Sequence, residues 1–441
     1  MPDAQRMRRG IARLLGIEPG DLGSVAAGFA MFFLLFAGYF LLRPVRETMG
    51  IAGGVKNLQW LFTGTFVATL AALPAFGWIA ARVQRRRILY WVFAFFAGNL
   101  LLFALGFQAR PDDAWLARGF YIWLSVFNLV AISTAWSVLA DLFEAGEARR
   151  VFALMAGGAS VGGLVGPLLG VLLVDSIGHP GLLALSAGLL VASASCVAVL
   201  RRIRGDRAEA GEGAARDMTV HSATRDDDAS GARQPLGGSS WAGAAEVLQS
   251  PYLLGIALYV LLLASISTFL YFDQARLVQA AYPSPTDQTR IFGMLDMAVQ
   301  SLAILSQVFI TGRVARRLGV GALLVGVPVV MVAGFAWLAF APTFAVLALV
   351  MIARRSGEYA FVRPGREMLY TPLAPHAKYK AKNFNDTVVY RGADAVSGWV
   401  KTGVDVLAQH PAAAMVLGAV VAAVWGWTGR GLARRYRALT E

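Results

Sequence analysis

Long apolar runs separated by short polar segments recur along the whole chain. A helix that crosses a membrane needs about 20 predominantly apolar residues, and twelve stretches come close to that length. They are 24–49, 58–81, 88–108, 116–143, 151–175, 181–200, 252–278, 289–312, 320–341, 343–370, 386–407 and 411–429. The pattern therefore predicts an all-α membrane protein with twelve transmembrane helices and the lipid bilayer as its surroundings.

Composition supports a membrane protein and disfavours an enzyme. Of 441 residues, 57% are hydrophobic and 15% are charged, whereas soluble domains have about 45–50% apolar and about 25% charged residues. The single cysteine, Cys196, excludes an intramolecular disulfide, and the four histidines show no metal-ligand spacing. We predict a protein that is not an enzyme and that needs no cofactor.

The net charge of +13 follows from topology rather than from nucleic-acid binding. Arginine and lysine cluster in alternate short loops and at both ends of the chain, as the positive-inside rule requires. Beyond the arginines that precede the first span, the clusters lie at 82–87, 313–317, 378–382 and 430–437. We therefore predict a multi-pass protein of the cell inner (plasma) membrane, monomeric, with both termini cytoplasmic and no nucleic-acid partner.

One long polar stretch, 201–250, divides the predicted spans into six and six. It lacks a hydrophobic period and is rich in small and charged residues, which predicts a flexible cytoplasmic linker. The predicted domains are a six-helix bundle over 1–200, this linker, and a second six-helix bundle over 251–441. Two six-helix bundles related by a pseudo-two-fold axis are the layout of the major facilitator fold.

Three short segments resemble motifs of that fold. The segment from Gly77 to Arg87 is similar to the motif between its second and third spans, and the segment from Gly312 to Gly319 repeats it in the second half. The segment from Gly162 to Gly170 resembles its antiporter motif. Glycines four residues apart let helices approach closely, so tight packing explains this last segment as well as a gating role does.

One charged phrase occurs twice, because residues 43–47 and residues 363–367 both read Arg-Pro-Xaa-Arg-Glu. Ionisable side chains at membrane depth cost roughly 2.5–3.5 kcal/mol each, so they face protein or a water-filled cavity. The phrase therefore predicts the charged lining of a transport path. The first span runs outward and the tenth inward, so we expect the two copies toward opposite ends of the cavity rather than side by side.

Other polar residues share helical faces with the two phrases at about 100° per residue. The candidate substrate-binding residues are Tyr39, Arg43, Arg46, Arg355, Tyr359, Arg363, Arg366 and Arg391. The candidate coupling or gating residues are Glu47, Asp141, Asp273, Asp296, Glu358, Glu367, Asp394 and Lys401. Cations and anions on the predicted spans are nearly equal in number, which predicts many interior ion pairs. Arginine prevails over lysine, and its planar fork suits phosphate or carboxylate, which favours an anionic substrate.

The segments that carry the phrase resemble the ATP/ADP translocase family of nucleotide transporters. The likeness is most specific from Glu358 to Leu373, and it extends to Tyr39–Glu47 and Tyr282–Gly293. The resemblance implies nucleotide exchange, with two lysines of the family recognising the nucleotide. Arg46 and Arg366 stand at those two positions here. The family also uses an acidic residue in its fourth span, which Asp141 matches.

These observations predict an alternating-access transporter that exchanges an anionic small molecule, either a nucleotide or another phosphorylated metabolite. Two alternatives stay open. The first is a proton-coupled transporter of another small metabolite or drug, in which Asp141, Asp296 or Glu358 takes up the proton. The second is a membrane sensor or assembly scaffold that transports nothing.

Overall fold

The computed structural model describes residues 10, 16–84, 87–143, 145–218, 243–408 and 411–440, and these residues form helices and turns without a β-strand. The helices are α1 (Leu22–Ala52), α2 (Leu58–Arg82), α3 (Ile88–Ala109), α4 (Ala114–Leu142), α5 (Ala145–Met218), α6 (Ala244–Gln249), α7 (Pro251–Ala281), α8 (Pro285–Ser306), α9 (Gly312–Phe340), α10 (Phe344–Gly357), α11 (Arg363–Leu369), α12 (Pro375–Phe384), α13 (Tyr390–Ala408) and α14 (Pro411–Thr440). A 3₁₀ turn, Val55–Asn57, precedes α2. Three π-helical turns, Gln307–Thr311, Glu358–Val362 and Asn385–Val389, precede α9, α11 and α13.

Eight helical stretches among the described residues are long and apolar enough to cross a membrane. Two of them, Val151–Gly205 and Pro285–Phe340, are 55 and 56 residues long, about twice the length of a single span. Each turns sharply at one glycine with positive φ, Gly178 (63°) and Gly319 (72°). This backbone region favours glycine because it has no Cβ. Each long stretch therefore contains two of the predicted spans.

The predicted spans 343–370 and 386–407 are not among the eight apolar stretches. Both segments are helical, but each is divided by a π turn from its neighbouring helix and carries several charged residues. Charged residues lower the mean hydropathy of a segment even when they face a protein interior. The count of twelve crossings stays a prediction.

Helices α1 and α5 pack with almost no space between their backbones. A Cβ atom at Gly158 would lie 2.2 Å from the carbonyl oxygen of Phe29, and one at Gly162 would lie 2.4 Å from that of Phe33. Gly166, four residues farther on, makes the same kind of contact. Small residues at this spacing bring membrane helices together, so these glycines fix α1, and the phrase that it carries, against α5.

Buried apolar side chains form two large cores and one smaller core. All residues of the first core lie between Ile17 and Leu200, and all residues of the second lie between Val247 and Ala433. The smaller core joins both halves of the chain, since Ile51, Leu58, Leu61 and Tyr121 meet Phe272, Ala275, Val278, Phe292 and Leu295. The predicted domain boundaries stay a prediction, although neither large core draws residues from both halves.

The stretch 201–250, predicted to be irregular, begins and ends in helix. Helix α5 continues to Met218, and α6 covers Ala244–Gln249. Alanine, glutamate and arginine are frequent before Met218 and are good helix formers. The segment can therefore be helical although its sequence has no hydrophobic period. The prediction for residues 219–242 lies outside the described residues.

The outer surface of α3 shows how the helices meet the bilayer. Trp91, Phe95, Leu102 and Leu105 lie on one face of this helix and are 61–67% exposed. Large exposed apolar patches are unusual on soluble monomers, whereas such a stripe suits contact with acyl chains.

We expect Gly158→Ala to lower the melting temperature of the detergent-purified protein, because the new methyl group would collide with backbone that cannot move aside. Overpacking of this kind costs about 1–3 kcal/mol. The control is Gly188→Ala in the same long helix, where nothing lies within 4 Å of an added Cβ. Equal melting shifts for the two variants would contradict the close packing of α1 on α5.

Candidate functional site

A cavity of about 860 Å³ lies between the two halves of the chain, within the size range of small-molecule sites. Side chains from both halves line it. Thirteen of the sixteen predicted site residues are among them: Tyr39, Arg43, Arg46, Glu47, Asp296, Arg355, Glu358, Tyr359, Arg363, Arg366, Glu367, Arg391 and Asp394. The cavity includes all eight residues predicted to bind substrate.

The other three predicted residues lie elsewhere. Asp141 is exposed near the end of α4. Lys401 is buried between α7 and α13, with its Nζ 3.4 Å from Asp273 Oδ1 and 2.7 Å from Asp405 Oδ2. The charged face of α13 therefore divides, with its first turn at the cavity and its second half against α7. A coupling role for Asp141, Asp273 and Lys401 stays a prediction.

Asp296 holds two arginines from different halves of the chain, a group that we name the Asp296 triad. Its Oδ1 lies 2.5 Å from Nη2 of Arg355, and its Oδ2 lies 3.8 Å from Nε of Arg43. Arg43 is on α1, whereas Asp296 and Arg355 are on α8 and α10. The triad thus links the first half to the second across the cavity.

Glu358 also holds two arginines, and we name this group the Glu358 triad. Its Oε2 lies 3.0 Å from Nη1 of Arg354, and its Oε1 lies 3.7 Å from Nε of Arg363. Tyr359 connects the two triads. Its hydroxyl lies 3.4 Å from Nη1 of Arg43, and the guanidinium of Arg363 lies 4.5 Å from the centre of its ring.

The remaining cations at the cavity pair with one carboxylate each. These pairs are Arg46 with Glu47 (3.3 Å), Arg366 with Asp386 (3.0 Å), Lys382 with Glu367 (2.6 Å) and Arg391 with Asp394 (3.5 Å). Arg46 also stacks on the ring of Tyr121, 4.0 Å from its centre. These pairs are formally neutral.

The lining as a whole is positively charged. Among the described residues, eight cationic side chains face six anionic ones: Arg43, Arg46, Arg354, Arg355, Arg363, Arg366, Lys382 and Arg391 against Glu47, Asp296, Glu358, Glu367, Asp386 and Asp394. The two excess charges belong to the two triads, since each triad combines two arginines with one carboxylate.

A π-helical turn, Glu358–Val362, interrupts the tenth predicted span. Pro364 has no N–H to donate to the carbonyl of Ala360. Thr311 Oγ1 donates to that carbonyl instead, at 2.8 Å, and Gln307 Nε2 donates to the carbonyl of Tyr359 at 3.0 Å. Single π turns of this kind are frequent at functional sites, and this one sets the positions of Tyr359 and Arg363.

The two copies of the charged phrase meet partway through the cavity. The expectation that they lie apart is wrong for their first arginines, because Arg43 and Arg363 both contact Tyr359. It suits their second arginines, since Arg46 and Arg366 pair with different carboxylates in different surroundings. The predicted opposite directions of the first and tenth spans agree with phrases that diverge from their first arginines.

Several lining residues were not predicted from the sequence. Lys382 reads as an ordinary loop cation, and Asp386 stands at the very start of a predicted span. Tyr121, Tyr271 and Tyr390 line the cavity too, but a tyrosine in an apolar helix is common and gives no distinct signal. Arg354 was recognisable as a charge at membrane depth, although its pairing with Glu358 was not.

The two halves also meet through hydrogen bonds next to the lining residue Glu47. The hydroxyls of Thr48 and Thr289 lie 2.7 Å apart, and Nε2 of His179 lies 2.9 Å from the Thr289 hydroxyl. We name these three residues the lock. Both threonines are fully buried, and Arg290 pairs with Asp175 nearby. Thr48 lies close to the end of α1, and α2 runs from the following turn to Arg82, so the lock lies at the opposite end of α2 from the first arginine-rich loop.

Comparisons with known proteins agree with this architecture. The model of the Major Facilitator Superfamily matches residues 22–362. The crystal structure of the nucleoside transporter NupG superposes with a TM-score of 0.60 at 13% identity, covering 95% of this chain and 100% of that one. A bacterial homolog of the human lysosomal transporter Spinster, in an inward-facing and unoccupied conformation, superposes with a TM-score of 0.56 at 14% identity, covering 96% and 98%. No curated protein sequence matches this chain.

Identities this low show a shared fold and nothing finer. The family match is of a different kind, because it extends over most of the chain, from the start of α1 to the end of the second π turn. The match agrees with the fold described above, an all-helical protein with a polar cavity between its halves. The chain belongs to the major facilitator superfamily of membrane transporters.

Proposed function

We propose that this transporter exchanges an anionic small molecule, a nucleotide or another phosphorylated metabolite, by alternating access through the cavity. The observation that carries the proposal is the charge of the lining, eight cations against six anions around about 860 Å³. A cationic surface at membrane depth is costly unless an anion binds to it. Arginine, which supplies seven of the eight cations, binds phosphate through paired hydrogen bonds.

Aromatic side chains favour a substrate that also has a planar ring. Phe36, Tyr39, Phe40, Tyr359 and Tyr390 line the cavity beside the arginines. Flat aromatic faces stack on nucleobases without requiring a particular base. The fold shared with a nucleoside transporter is compatible with such a substrate.

The likeness to ATP/ADP translocases supports exchange rather than one-way transport. Both phrases that carry the likeness contribute arginines to the cavity, including Arg46 and Arg366 at the positions of the family's two lysines. In our proposal, the bundles 1–200 and 251–441 rock about the bound anion, and the stretch 201–250 connects them. The protein works as a monomer in this scheme.

The positions of charges along the chain support an orientation. Arginine-rich loops belong on the cytoplasmic side by the positive-inside rule. We therefore place the protein in the inner membrane with both termini in the cytoplasm. The lock then closes the outer end, and the cavity opens inward.

One residue favours the proton-coupled alternative. Asp394 is buried, lies 3.5 Å from a single arginine, Arg391, and accepts a hydrogen bond of 3.1 Å from Thr268. Asp296 and Glu358 contact two arginines each, and Asp141 lies away from the cavity. Proton coupling would therefore depend on Asp394.

We expect proteoliposomes of the purified protein to take up a labelled nucleotide or sugar phosphate only when they contain an unlabelled phosphorylated partner. Exchange needs no ion gradient, because one anion replaces another. The control is the same uptake into vesicles loaded with buffer alone. Uptake driven by a pH gradient without any counter-substrate would favour the alternative, and absence of exchange for every phosphorylated compound would refute the proposal.

We expect Thr289→Val to open the outer end of the cavity more often, because valine cannot bond to Thr48 or His179. A buried hydrogen bond contributes about 0.5–1.5 kcal/mol, so labelling should accelerate about threefold to tenfold. The reporter is Ser267→Cys, a cavity position, in a Cys196→Ser background, labelled from outside with a membrane-impermeant thiol reagent.

Thr428→Val is the matched control for this experiment, because the Thr428 hydroxyl is exposed and, among the described residues, bonds only to the carbonyl of Val424 in its own helix. Equal labelling rates in the Thr289 and Thr428 variants would show that the threonine contact does not hold the outer end closed.

A further inference from the structure

We infer that Arg43 and Arg363 form a subsite for a phosphate-type dianion, on either side of Tyr359. The inference rests on the proposed function and makes it more specific, because it assigns the substrate's charge and the residues that bind it. It also differs from the likeness to ATP/ADP translocases, which points to Arg46 and Arg366.

The excess charge of the cavity is localised. Each one-to-one pair at the lining is formally neutral, whereas the Asp296 triad and the Glu358 triad each keep one positive charge. Two positive charges that both lie against Tyr359 match a group with two negative charges. A phosphate monoester carries about that charge near neutral pH, since its second pKa is about 6.

Within each triad, one arginine is held tightly and the other loosely. Arg355 and Arg354 lie 2.5 and 3.0 Å from their carboxylates, and their side chains are 8% and 6% exposed. Arg43 lies 3.8 Å from Asp296 and its side chain is 19% exposed. Arg363 lies 3.7 Å from Glu358 and its side chain is 54% exposed. In each triad the loosely held arginine is also the more exposed one, so its donors can reach a ligand.

The two loosely held arginines converge on a small region. Arg43 reaches the hydroxyl of Tyr359, and Arg363 lies over the ring of the same residue. A compact tetrahedral group can accept hydrogen bonds from both guanidinium forks there. An extended dicarboxylate, with its two charges several bonds apart, fits such a convergence less well.

By contrast, Arg46 and Arg366 are already engaged. Arg46 lies between Glu47 and the face of Tyr121, and Arg366 is 11% exposed beside Asp386. They are placed to contact other parts of the substrate or to position their neighbours, and they carry no excess charge.

The subsite also gives a physical reason for exchange. Arg43 belongs to the first half of the chain and Arg363 to the second, so a bound dianion would join the halves at the middle of the cavity. Closing the cavity around two uncompensated positive charges is unfavourable, because desolvated charges need counter-charges. A bound dianion compensates the two positive charges, so the loaded transporter can close without this cost. The empty transporter would close around the uncompensated charges.

The test compares two ligands of the same shape and different charge. Phenyl phosphate is mainly a dianion at pH 8, and phenyl sulfate is a monoanion. Calorimetric titration of the purified protein should show that phenyl phosphate binds about tenfold or more tightly than phenyl sulfate, because the dianion compensates both excess positive charges and the monoanion only one. Arg43→Gln and Arg363→Gln should each weaken phenyl phosphate by about tenfold and reduce its advantage over phenyl sulfate.

Two further variants separate the subsite from general charge and from folding. Arg82→Gln removes one positive charge at the exposed end of α2 and should leave both affinities unchanged. Arg363→Lys retains the charge without the planar fork, so it should bind phenyl phosphate more weakly and still prefer it to phenyl sulfate. Melting temperatures identify any variant that has lost its fold. The affinities of the folded variants for phenyl phosphate and phenyl sulfate then test the subsite.

Several results would overturn the subsite while leaving the proposed function intact. They are equal affinity for the two phenyl esters in the unchanged protein, loss of the preference in Arg46→Gln or Arg366→Gln but not in the Arg43 and Arg363 variants, and succinate binding as tightly as phenyl phosphate. Failure of both esters and of inorganic phosphate to bind would instead refute the proposed function, and the subsite with it.

Discussion

Asp296 and Glu358 each hold two arginines inside the membrane-spanning part of the protein. An isolated charge there is strongly unfavourable, and removing one member of a buried ion pair typically costs about 3–5 kcal/mol because the partner is left uncompensated. Loss of either carboxylate would leave two cations without a counter-charge. The arrangement of the helices around the cavity therefore depends on these two side chains, which bring α1, α8, α10 and α11 to the same place.

The two halves of the chain are joined by two different kinds of interaction. At the lock, Thr48 and His179 of the first half bond to Thr289 of the second, and apolar side chains from both halves pack beside them. Such contacts are individually weak, so they can break and reform during a transport cycle. Partway along the cavity, Arg43 and Asp296 join the halves by charge. The halves are therefore joined by charge at Arg43 and Asp296 and by hydrogen bonds at the lock.

The amino-acid sequence indicated most of the charged residues of the cavity lining, because a charged side chain inside an apolar helix must face protein or water rather than lipid. Arg43 and Arg363 stood out for that reason, and so did Asp296. Pairing was harder to predict, since it depends on distances between helices that are far apart along the chain. Lys382 resembled the loop cations that determine topology, and Lys401 lay on the same helical face as Arg391 yet packs against α7. Helical periodicity alone cannot show where along its length a helix leaves a cavity.

The π turn at Glu358–Val362 shows why a regular helical pattern was insufficient. At about 100° per residue, side chains five positions apart in an α-helix point about 140° away from each other. A π turn, with its i→i+5 hydrogen bonds, returns the fifth residue toward the same face. Glu358 can therefore contact Arg354 in the α-helix before it and Arg363 after the π turn. Gln307 and Thr311 donate hydrogen bonds to two carbonyls of this turn. Two neutral side chains from another part of the chain therefore support the turn that brings Arg363 to Glu358.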